Sequence, residues 1–132
     1  MWRWLAVLLL VSTPALADSG FSGVWFGTQP YNANASYLLT ISPHGTFLTH
    51  HRICAKGREA DRFVAGTWAL AGDLVTYHVA TINGVPRPRV DIFRLVSVDA
   101  HRQSTVFLNQ NLPYVAQRVP PDFELPSCQL VS

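Results

Sequence analysis

The sequence predicts an all-β domain that closes into an eight-stranded antiparallel up-and-down barrel, and three observations carry that expectation. Short runs rich in Val, Ile, Leu, Thr and aromatic residues recur between turn signals. Beyond residue 17, no window repeats apolar residues at helical spacing for three turns. The links between runs are a few residues long, and links that short join neighbouring antiparallel strands. A meander of this kind removes its exposed edges by closing on itself; a two-sheet sandwich is the alternative closure.

The strand candidates, in order, are Gly23 to Gly27, Tyr37 to Ile41, Thr46 to Ile53, Phe63 to Leu70, Leu74 to Ile82, Val90 to Val98, Gln103 to Gln110 and Tyr114 to Val119. Turn chemistry separates them at Pro43-His44-Gly45, Gly72-Asp73, Asn83-Gly84, Asp99-Ala100-His101 and Asn111-Leu112-Pro113. A two-residue type II′ turn at Gly72-Asp73 pairs Ala71 with Leu74, Leu70 with Val75, Trp68 with Tyr77 and Gly66 with Val79. That register turns one apolar face inward and leaves Thr67, Thr76 and His78 outside. A three-residue loop would instead turn Leu74, Thr76 and His78 inward. Beyond the last strand, Pro120-Pro121-Asp122-Phe123-Glu124-Leu125-Pro126 cannot continue as a helix, because proline lacks the amide proton and clashes with the preceding turn.

The chain has 132 residues, a formal net charge of +2, 48% hydrophobic residues and 14% charged ones, which fits one small domain. Apolar content this high argues against intrinsic disorder, and a charge so near zero makes no electrostatic case for nucleic acid. Residues 1 to 17 read as a cleavable export signal: Arg3, an apolar run from Leu5 to Val11, a break at Pro14, then Ala15-Leu16-Ala17. The run is shorter than the roughly 20 residues of a spanning helix. Asp18 rather than a cysteine follows the expected cleavage point, so no membrane anchor is expected. The domain is then residues 18 to 132, periplasmic or secreted.

Export makes the two cysteines legible. Cys54 and Cys128 are an even pair in an oxidising compartment, where a disulfide is their expected fate. Closing so long a loop stabilises by about 4.5 kcal/mol in the chain-entropy model and pins the tail to the first half of the fold.

Gly23-Val24-Trp25 opens the first strand, the meander follows, and Arg118 ends the last strand. In these features the chain resembles the calycin superfamily, the lipocalins and fatty-acid-binding proteins. The resemblance implies that Trp25 closes one end of the barrel while Arg118 packs across its ring. It also implies a bridge from the barrel to the tail, placed as Cys54 and Cys128 are. The helix that lipocalins carry after the eighth strand is not expected here.

A small barrel has one concave feature, its mouth and interior. The interior candidates are Trp25, Phe47, Trp68, Tyr77, Phe93 and Phe107, which either line a ligand cavity or fill the barrel as core. The segment Thr28 to Ser36, with Tyr31, is a candidate lid over the mouth or a surface loop. His50 and His51 are adjacent in a strand and point to opposite faces, and His44 sits in a turn, so no metal site is expected. There is no nucleophile elbow or phosphate loop, and Glu59 and Asp61 fall in a basic segment, Lys56 to Arg62, that reads as a solvated loop; neither an enzyme nor a cofactor is expected.

The function expected is therefore binding of a small apolar or amphipathic ligand inside the barrel. The alternative is a protein-binding module acting through its surface, as an inhibitor or envelope assembly component. Pro86-Arg87-Pro88-Arg89 and the ridge of Phe123 and Leu125 would serve that role; otherwise they are a hairpin flank and a strap fastened by Cys128. Asn34-Ala35-Ser36 fits a glycan acceptor.

Overall fold

The computed structural model describes residues 20–128. The export signal expected over residues 1 to 17 lies outside the described residues. Eight strands follow in order: β1 (Gly23–Gln29), β2 (Asn32–Ile41), β3 (Thr46–Ala55), β4 (Arg58–Ala71), β5 (Leu74–Ile82), β6 (Val85–Val98), β7 (Arg102–Phe107) and β8 (Leu112–Val119). Each pairs antiparallel with the next, and β8 returns to β1, so the sheet is a closed up-and-down barrel and not a sandwich.

The β4–β5 hairpin has the two-residue register. Ala71 faces Leu74, Trp68 faces Tyr77 and Gly66 faces Val79. Only Gly72 of the turn pair has positive φ, +63°, as a type II′ turn requires. Val75, Tyr77 and Val79 are consequently buried while His78 is exposed.

Four segments depart from the sequence reading. Thr28 to Ser36 is neither a lid nor a long loop: β1 runs to Gln29, β2 begins at Asn32, and Pro30 and Tyr31 alone turn the chain. The ladder accommodates the extra residues by a register shift between Thr28 and Gln29, so low strand propensity is absorbed as an irregularity. Lys56 to Arg62 is not a loop either. Lys56 and Gly57 form a two-residue turn with φ of 55° and 73°, and Arg58 starts β4. The expected turn at Asn111-Leu112-Pro113 lies earlier, over 108–111, because Asn111 takes the left-handed conformation and Phe107 pairs with Leu112. Pro86 and Pro88 sit inside β6, where a register shift interrupts the ladder to β5 and the ladder to β7 begins only at Phe93; the missing amide protons break few bonds there.

One end of the barrel is packed solid. Trp25 and Phe21 are fully buried, and the indole Nε1 donates to the Phe21 carbonyl at 2.9 Å. Trp68 lies 5.4 Å from Phe21 and donates from its ring nitrogen to the Ser42 carbonyl at 2.8 Å. Arg118 lies with Cζ 4.2 Å from the centre of the Trp25 ring, and its guanidinium donates to the carbonyls of Ser22, Gly20 and Ala100. Gly23 has φ of 135°, and a Cβ there would collide with the Arg118 guanidinium, so glycine is required at this position of the first strand.

After β8 the tail runs back over the outside of the barrel without forming a helix. Phe123 packs on Phe26 at 5.1 Å between ring centres, and Leu125 is buried. Arg52 donates to the Leu125 and Pro126 carbonyls, the Cys128 amide donates to Glu59, and the expected Cys54–Cys128 disulfide is present. The tail is thus a fastened strap, and its ridge of Phe123 and Leu125 is spent on the barrel itself.

Candidate ligand-binding cavity

Above the packed end the barrel is hollow, with a cavity of about 810 Å³ opening between the β1–β2, β3–β4, β5–β6 and β7–β8 connections. Phe47, Tyr77, Phe93 and Phe107, four of the six interior candidates, line it. Trp25 and Trp68 lie in the packed end beneath. The four liners form a continuous aromatic wall: Phe47 meets Tyr77 at 4.9 Å, Tyr77 meets Phe93 at 5.5 Å, and Phe93 stacks on Phe107 at 4.9 Å. Tyr114 and Tyr37 continue the wall on the far side.

Polar groups share the lining. Thr49, Gln103 and Thr105 are buried along the walls, and Gln29, His51, Arg62, Arg89 and Asp91 stand nearer the mouth. Strand alternation could have found several of them: Thr49 and His51 have the inward parity of Phe47, and Asp91 and Arg89 that of Phe93. Residue type marks the aromatic liners, and strand parity marks these polar ones.

Gln29 Nε2 donates to His51 Nδ1 at 3.1 Å, which places the imidazole proton on Nε2. Burial pushes His51 from its ordinary 6.5 down to about 4, with the charge of Arg62, then His50 and Arg89, adding to the effect. The ring is therefore neutral at neutral pH. Burial likewise raises the phenols of Tyr37, Tyr77 and Tyr114, which stay protonated. Gln29 Oε1 and Gln103 Nε2 are buried with no hydrogen-bond partner among the described residues. Such atoms cost about 1–3 kcal/mol each until satisfied.

His50, on the opposite face from His51, stacks on Phe63 and meets Asp61 at 3.1 Å. Glu59 and Asp61 are on the outside of β4, both paired with Arg52, and do not approach the cavity. Among the described residues no group of three or more His, Cys, Asp or Glu side chains is placed to hold a metal ion.

No protein-family model, curated protein or solved structure matches this chain.

Proposed function

We propose that this protein is an exported, lipocalin-like member of the calycin superfamily that binds a small amphipathic molecule within its barrel and performs no chemistry on it. The observation that carries the reading is the hollow interior: about 810 Å³ bounded by an aromatic wall below and polar groups towards the mouth. That volume lies in the usual range for small-molecule sites, roughly 300–1,000 Å³. The apolar part of the ligand lies against Phe47, Tyr77, Phe93 and Phe107. Its polar end sits towards His51, Arg62 and Arg89. Buried amides with unfilled hydrogen-bonding capacity favour an occupant with polar atoms over a pure hydrocarbon. The disulfide fits an oxidising compartment and so supports export to a periplasmic or extracellular location.

Displacement of a fluorescent lipophilic probe tests the reading, together with native mass spectrometry of protein purified from its own compartment. The expected result is saturable probe binding that Thr105→Trp, which sets an indole into the cavity, weakens by about tenfold or more. A bare mass together with no probe binding would overturn the reading and move the function to the outer surface, as a protein-binding module.

A further inference from the structure

Around the mouth, bare apolar side chains share the rim with cations that lack carboxylate partners among the described residues. The four connections at this end carry Tyr31 at the β1–β2 tip, 69% exposed, Val85 at the β5–β6 tip, 53% exposed, and Leu108 at the β7–β8 tip, 37% exposed. The remaining tip, between β3 and β4, carries Lys56 and Arg58, and Arg87 flanks Val85. All three cations are exposed.

The acids of this end are already engaged. Glu59 and Asp61 pair with Arg52, and Asp91 pairs with Arg89 at 3.1 Å. Lys56, Arg58 and Arg87 have no carboxylate partner among the described residues. At the packed end, by contrast, the connections are Ser42 to Gly45, Gly72-Asp73 and Asp99 to His101, which are polar and include two aspartates.

We propose that this rim docks reversibly onto the surface of an anionic lipid bilayer, with Tyr31, Val85 and Leu108 entering the headgroup layer while Lys56, Arg58 and Arg87 face the phosphates. Apolar tips gain by leaving water, and cations beside them are drawn to a negative leaflet, so the two contributions act in the same orientation. The geometry favours lipid over a protein partner. The apolar residues sit singly on three separate hairpins around a hollow, an arrangement suited to insertion into a headgroup layer rather than to the dry core of a protein interface. Docking turns the cavity mouth towards the membrane, where an amphiphile can pass into the barrel without crossing bulk water. The docking itself goes beyond the cavity reading and stands on the rim alone.

The test is flotation of the full protein with phosphatidylcholine vesicles, made with and without phosphatidylglycerol. Binding is expected to the anionic vesicles, to weaken as salt is raised and to be slight on phosphatidylcholine alone. Arg58→Glu with Arg87→Glu lowers vesicle partitioning by about tenfold or more, and the triple change Tyr31→Ser, Val85→Ser, Leu108→Ser lowers it comparably. Arg94→Glu with Arg102→Glu, away from the mouth, leaves it unchanged. Absence of flotation, or equal flotation of rim variants and wild type, overturns the proposal. Probe displacement in free solution, run on the Arg58→Glu, Arg87→Glu variant, separates this failure from failure of the cavity reading, because neither arginine lines the cavity.

Discussion

The two ends of the barrel are built from the same hairpins and do opposite things. At the packed end Phe21, Trp25 and Trp68 fill the lumen, Arg118 seals it, and short polar turns close the strands. At the open end the inward positions hold Thr49, His51, Arg62 and Arg89, which leave space and polar atoms where the other end has indole. Strand pairing does not distinguish the two, since the ladder runs through both. The difference teaches that a barrel's stability and its capacity to bind can be assigned to separate layers along its axis. A layer of large side chains supplies the packing. A layer of smaller and polar ones gives up packing for a cavity.

The strap joins the two regions, leaving β8 at the packed end and reaching the bridge beside the β3–β4 turn. Cutting it gives the largest expected effect. Cys54→Ser with Cys128→Ser opens a covalent loop with a sequence separation of 74 and should lower unfolding stability by about 4.5 kcal/mol. Denaturant titration with and without reductant measures this, and unchanged midpoints would remove the strap from the account.

A paired truncation sharpens the contrast between layers. Trp25→Ala should cost about 3–5 kcal/mol, since it leaves a hole beneath Arg118 and orphans the Phe21 carbonyl. Phe107→Ala, on the cavity wall, should cost no more than about half as much, because one side of that ring already faces space. Equal losses in chemical denaturation would contradict the division into a solid and a hollow layer.

The smallest effect concerns pH. The folded state depresses His51, so between about 6.5 and about 4 the unfolded chain binds the proton more tightly. The contribution is fully present above 6.5 and is lost as pH falls through that window, by about 2 kcal/mol once solvent in the cavity is allowed for. Stability of the wild type and of His51→Gln, compared at neutral and mildly acid pH, should show a shallower slope for the variant. Parallel slopes would place the imidazole in a wetter setting than the cavity geometry indicates.

Much of the architecture was written in local signals. Apolar runs, the Gly72-Asp73 turn and the absence of helical spacing sufficed for eight strands, and side-chain alternation then fixed which face of β5 turns inward. The paired cysteines were legible from their even number and from the export signal expected before them. Lys56-Gly57 was not, because its turn depends on a left-handed lysine that composition does not advertise. The candidate site was legible only in part: aromatic residues could be assigned to the interior, but not to one end of it.

What the sequence determined by itself was the class of fold, the alternation of faces and the covalent tie, since each follows from neighbours along the chain or from residue type. Tertiary structure alone decided where the lumen is filled and where it is empty. Closure of the sheet staggers the strands, so that residues far apart in sequence meet at one height: Phe21 with Trp68, Trp25 with Arg118, and His51 with Arg89. Whether such a layer is packed or hollow depends on the summed volume of side chains brought together by that stagger, a quantity no local stretch of the chain contains.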